Sequence, residues 1–94
     1  MVIPVNELIA LEAQESYTVL HCTGGKKHIA SKNLKHFEGL LEEENGFFRT
    51  HRSWIINTGQ LKSYSKQNAT ITLDGEVEAK LSKYRVAEFE EHIA

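Results

Sequence analysis

The chain has no second cysteine. Cys22 stands alone, which excludes an intrachain disulfide and a Cys-x-x-Cys metal or redox site and fits a reducing, cytoplasmic compartment. No run approaches the ~18 consecutive apolar residues of a membrane span. Met1–Pro4 is too short and uncharged for a signal peptide, so a soluble protein away from membranes is expected. Also missing are a Gly-rich phosphate loop, a paired-histidine metal motif and a serine-centred elbow. His21 and Cys22 are neighbours on a strand and point to opposite faces, so they cannot act as base and nucleophile. No enzyme, cofactor or metal is expected.

Repeats, linkers and low-complexity tracts are absent too. Ninety-four residues make one domain, 1–94, able to bury about 60–65% of the surface its unfolded chain exposes. Four Phe, three Tyr and one Trp within 40% hydrophobic residues supply a core without metals or disulfides.

A positive net charge is likewise missing; the balance is −2. Its distribution carries more information than its sum. All 11 basic residues fall in three acid-free windows, Ser16–Phe37, Asn45–Leu73 and Ala79–Ala87, and all 13 acids lie outside them. Blockiness of this kind marks solvated turns and helix ends, or opposite-sign faces whose local potential the net charge hides.

Along the chain, Met1–Val5 is a β-prone lead, and Leu8–Glu12 opens with a continuous apolar run that suits a buried strand or a short helix. Tyr17–Cys22 alternates as a strand does, Thr23-Gly24-Gly25 turns it, and Lys26–Ala30 returns antiparallel. Ser31 is the expected N-cap of a helix carrying Leu34, Phe37, Leu40 and Leu41 at helical spacing and stopping near Gly46. Glu42, Glu43 and Glu44 sit at the wrong end of that helix for its dipole. Strands are expected at Gln60–Ser65, Ala69–Leu73 and Glu76–Lys80. Ser82 then caps a last helix with Val86, Phe89 and Ile93 as its buried stripe. Many short strands and two helices indicate a mainly-β α+β domain.

One stretch, Phe47–Asn57, organises the rest. Phe47 and Phe48 anchor one end in a core and Trp54, Ile55 and Ile56 the other, holding a wet polar ridge between them. A fixed ridge with two arginines and a histidine suits a phosphate backbone or a guanine edge. The pattern Phe47-x-Arg49-x-His51-Arg52-Ser53-x-Ile55-x-Asn57 resembles the signature of the LytTR DNA-binding domain family, usually the output half of bacterial response regulators. Leu11-Glu12-Ala13 with Tyr17 resembles that family's first hairpin, and Leu34–Leu41 its first helix. Asp74-Gly75 resembles its closing hairpin, and Ser82-Lys83-Tyr84 the start of its last helix.

The resemblance implies small antiparallel sheets in a LytTR-type β-sandwich with two short helices. It also implies loops that read successive major grooves of double-stranded DNA in bacterial transcriptional regulation. A receiver domain in a longer chain and a dimer on repeated sites are further family implications. Arg52 is expected to fork onto guanine. His51 is expected to donate to a phosphate, accept from a base edge, or cap the turn beside Trp54. Arg49 is expected to meet phosphate or to brace the loop through an acid such as Glu44. Ser53 and Asn57 read as structural, Trp54 as core. Ser16 and Thr18 are the expected contacts of a second loop, in which Glu15 repels phosphate and Tyr17 is half-buried. Lys83 and Arg85, beside free amides at the last helix's N-terminus, are expected on phosphate, with Lys66 as a further phosphate contact. The rival reading is a small β-rich protein-interaction module whose acidic stretches face the partner.

Overall fold

The fold grows from two short apolar runs that lack polar alternation, Leu8–Leu11 and Trp54–Ile56; such runs suit strands covered on both faces. In the computed structural model, which describes residues 3–41, 44 and 46–94, they are the central strands of a five-stranded antiparallel sheet. Its strands are β1 (Leu8–Gln14), β2 (Tyr17–Cys22), β3 (Lys27–Ala30), β4 (Phe47–His51) and β5 (Trp54–Asn57), in spatial order β3-β2-β1-β5-β4. A second antiparallel sheet has the order β6 (Leu61–Ser65), β7 (Thr70–Leu73), β8 (Val77–Lys80). Two helices complete it, α1 (Leu34–Leu40) and α2 (Val86–Ile93). This is the expected mainly-β arrangement of small antiparallel sheets with two helices.

Two cores flank the large sheet. Ile9, Ala10, Trp54 and Ile56 pack against Ile71, Leu73, Ala79 and Leu81 of the small sheet's side and Phe89 of α2. On the opposite face Leu8, Leu11, Leu20, Cys22 and Ile55 pack under Leu34 of α1. A β-bulge at Ile9 lets Ile9 and Ala10 share one face although they are consecutive. Asn57 ties the layers together: its Nδ2 donates to the Leu8 carbonyl at 2.8 Å and its Oδ1 accepts from Gly59 N at 3.0 Å. The structural reading of Asn57 holds.

Several expectations change. Met1 and Val2 lie outside the described residues, and the rest of the lead is not a strand: Val5–Glu7 forms one 3-10 turn closed by Glu7 N donating to the Pro4 carbonyl at 2.9 Å. The cap of α1 is Asn33, not Ser31, because the Asn33 Oδ1 accepts from His36 N at 2.9 Å. That helix ends at Leu40, well short of Gly46, whose carbonyl instead accepts from Thr58 N and Thr58 Oγ1, both at 2.7 Å. Leu40 itself is 65% exposed, the sheet-facing stripe running through Leu34, Phe37 and Leu41. Glu42 and Glu43 lie outside the described residues. Ile93, in the last turn of α2, is exposed, while Phe89 carries the burial.

Candidate nucleic-acid interface

The anchored ridge is a β-hairpin. β4 and β5 pair antiparallel, with Arg52-Ser53 as the turn, and Trp54 is buried against His21, their rings stacked with centroids 5.7 Å apart. Trp54 is core, as read from its apolar neighbours. Thr50 is the extra residue of a bulge: Arg49 pairs with Ile55 and His51 with Trp54. Paired residues share a face, so the bulge sends Arg49 toward α1 and His51 toward the small sheet. Without it, two residues apart on a strand, they would point the same way.

Arg49 braces the turn from beneath. Its Nε donates to the His51 carbonyl at 2.9 Å, its Nη2 to the Arg52 carbonyl at 2.7 Å, and its Nη1 to Glu38 at 2.9 Å. The bracing acid is therefore Glu38 of α1, not Glu44; α1 packs over Ile55, which brings its carboxylate to β4. His51 caps the turn through Nδ1, which accepts from Ser53 N at 3.1 Å. Burial first, then the charges of Lys80, Arg52 and Arg49, hold this imidazole below the ordinary histidine value. Arg52 at the crest is exposed, and its side chain has no carboxylate within ion-pair distance among the described residues.

The loop after β8 is drawn to the same place. Ser82 N donates to the carbonyl of the bulged Thr50 at 2.8 Å, and Leu81 N to the Ala69 carbonyl at 3.0 Å. Lys83–Arg85 is a 3-10 turn before α2, with Ser82 Oγ accepting from Tyr84 N at 3.2 Å. The expectation of free amides here needs correction: those of Ser82, Tyr84 and Arg85 are all engaged within the protein. What remains for an anion is side-chain charge and the Lys83 amide. Two open grooves meet at His51 and Ser82. One, about 410 Å³, runs between Glu38, Arg49, Arg52, Tyr84 and Arg85; the other, about 590 Å³, between Asn68, Thr70, Lys80 and Lys83.

The β1–β2 hairpin reaches the same end, since Ala13 N donates to the Ser53 carbonyl at 2.8 Å. Ser16 is exposed in its two-residue turn beside Glu15, and Tyr17 is half-buried. Thr18 is the clear correction. It is fully buried, and its hydroxyl donates to the Lys32 carbonyl at 2.7 Å, so it cannot reach a groove.

Folding also pairs many cations that the sequence keeps apart from acids. Arg49 meets Glu38, Lys62 meets Glu76, Lys66 approaches Glu90 at 3.9 Å and Arg85 approaches Glu88 at 4.0 Å. Lys66 thus leans toward α2, where Glu90 also accepts from the Tyr64 hydroxyl at 3.0 Å. Lys26, Lys27, Lys32, Lys35, Arg52, Lys80 and Lys83 have no such partner among the described residues, and of these Arg52, Lys80 and Lys83 converge on one end of the molecule.

Sequence reasoning missed Asn68 and Tyr84. Asn68 joins the site only because the β6–β7 turn packs beside Lys80. Tyr84 is 83% exposed with the Lys83 ammonium 5.5 Å from its ring centroid. Its signal was present, because Tyr84 falls off the Val86–Phe89 stripe.

Among the described residues no cluster of three metal-ligating side chains forms, and no helix is long and apolar enough to cross a membrane. An antiparallel sandwich that gathers unpaired cations at one end, on two backbone-tethered turns and the end of β8, has the form of a nucleic-acid-binding domain. The family model of the LytTr DNA-binding domain matches residues 1–94, and the chain belongs to that family. A solved structure described as the LytTr DNA-binding domain of a response regulator from Bacillus cereus has the same fold. Its TM-score is 0.85 at 24% identity, over 100% of this chain and 87% of that one. A search of curated proteins finds no match.

Proposed function

We propose that this domain binds double-stranded DNA sequence-specifically in bacterial transcriptional regulation. The β4–β5 turn and the Ser82–Arg85 turn enter successive major grooves. The observation that carries this is the convergence of three unpaired cations, Arg52 and Lys83 on hydrogen-bonded turns and Lys80 at the end of β8, on one end of the molecule. Arg52 reads a guanine edge, and Lys80 and Lys83 neutralise phosphate. Ser16 is an accessory contact, while Arg85 and Lys66 contribute once they leave their long, exposed ion pairs. The domain is not an enzyme and needs no cofactor. In a longer chain a receiver domain would govern its pairing on repeated sites.

Duplex binding measured from low to physiological salt tests this. Log K should fall with log salt by about 0.9 per neutralised phosphate. A flat response would favour the rival, a protein-interaction module, to which the net charge of −2 lends itself.

A further inference from the structure

The imidazole of His51 is held by a donor on one side and left open on the other. Ser53 N–H can only donate, so Nδ1, 3.1 Å away, must present its lone pair. In the neutral ring the proton then sits on Nε2. The bulge at Thr50 turns the ring toward the junction of the two grooves. The groups around it are Arg49 of β4, Arg52 of the turn, Lys80 of β8, Lys83, Tyr84 and Arg85 of the following turn, and Glu38 of α1 across the groove. Most of these are cations, which oppose a second proton on the ring.

Resting on the DNA-binding reading above, we propose that His51 is a DNA contact of fixed tautomer: a neutral Nε2–H that donates to a purine N7 or a phosphate oxygen and never accepts from the DNA. Cytosine and adenine amino groups are refused at this position because they too only donate. The ring is ordered before binding, so its donor meets the duplex without a change of protonation.

Two-bond proton–nitrogen correlation spectra of the free protein at neutral pH should show the proton on Nε2 and a lone-pair shift at Nδ1. The reverse tautomer, or an averaged pair, overturns the proposal whatever the DNA does. On a site obtained by in vitro selection, His51→Asn keeps an acceptor near Nδ1 but removes the Nε2 donor. It should leave melting unchanged and weaken binding about fivefold, the loss of one neutral hydrogen bond. His51→Gln, which reaches the Nε2 position but not the cap, should lower the melting temperature and bind better than His51→Asn. Scanning the wild-type site with 7-deazapurines and with methylphosphonates should find one position that costs about fivefold and costs His51→Asn nothing further. A 7-deazapurine position identifies a base contact, a methylphosphonate position a phosphate contact. No such position, or binding that tightens with falling pH in wild type but not in His51→Asn, overturns the neutral donor. If the protein binds no duplex at all, the DNA reading fails with it; a wrong tautomer alongside intact duplex binding sinks only this proposal.

Discussion

The two hairpin turns at one end of the large sheet make a controlled pair. Both are two residues long, and their stems pair along β1 and β5, with Ala13 N donating to the Ser53 carbonyl at the turn end. The β4–β5 turn is braced by Arg49 on two carbonyls, capped by His51 and set by a bulge. The β1–β2 turn carries Glu15 in the left-handed region at φ 51°, and neither Glu15 nor Ser16 makes a side-chain hydrogen bond among the described residues. One turn presents a cation on a prepared frame; the other presents an acid on a backbone conformation that costs a non-glycine residue about 1 kcal/mol. Of the two turns, only the β4–β5 turn joins order to positive charge.

The largest blow to that contrast is at the anchor. Trp54→Ala should lower unfolding stability by about 3–5 kcal/mol in denaturant titrations. A variant that melts like wild type yet loses DNA would make Trp54 a stacking residue instead of a floor.

Removing the brace comes next. Arg49→Met should cost about 1–3 kcal/mol of stability and weaken the selected site while leaving the salt slope where it was, because Arg49 is spent on carbonyls and Glu38. A slope reduced by about one unit would turn the brace into a phosphate contact.

At the crest the roles divide. Arg52→Ala should cost about 1–3 kcal/mol on the preferred site, relax one or two positions and spare the melting temperature. Lys83→Ala should weaken selected and scrambled duplexes alike and lower the salt slope by about one. Equal weakening of both duplexes by Arg52→Ala would move base reading elsewhere.

Behind the turn, Thr50 Oγ1 is buried with no hydrogen-bond partner among the described residues. Thr50→Val should therefore raise stability by about 1 kcal/mol in the same titrations, with DNA affinity unchanged. A loss of stability would mean that the hydroxyl is satisfied in solution.

The smallest effect belongs to the other turn. Glu15→Asn puts a residue that tolerates positive φ at that position and removes an acid. Stability should rise by about half a kcal/mol, and duplex binding should tighten slightly at low salt. Tighter binding that persists at high salt would assign this turn a direct contact.

How much of this was legible without coordinates varies residue by residue. Leu8–Leu11 was readable as a buried run suited to a strand and Trp54–Ile56 as a core anchor because both lack polar alternation; that both are central strands came from the pairing. The Gly24, Gly25 and Gly75 turns were readable because their φ values of 76°, 75° and 73° favour glycine. The cap at Asn33 was not, because Ser31, Lys32 and Asn33 offer the helix competing starts and only packing of Leu34 chooses. Thr18 was misplaced for a similar reason: a polar side chain near a turn looks solvated until the Lys32 carbonyl is brought over it.

The sequence by itself determined most of the elements and the anchored Phe47–Asn57 stretch, since apolar periodicity, turn chemistry and that pattern are local properties of the chain. Tertiary structure alone decided which cations are paired with acids. Glu38 lies 11 residues from Arg49 in sequence, yet its carboxylate is 2.9 Å from the guanidinium, whereas Arg52, Lys80 and Lys83 are left unpaired among the described residues. Charge pairing depends on distance through space, which no acid-free window in the sequence records.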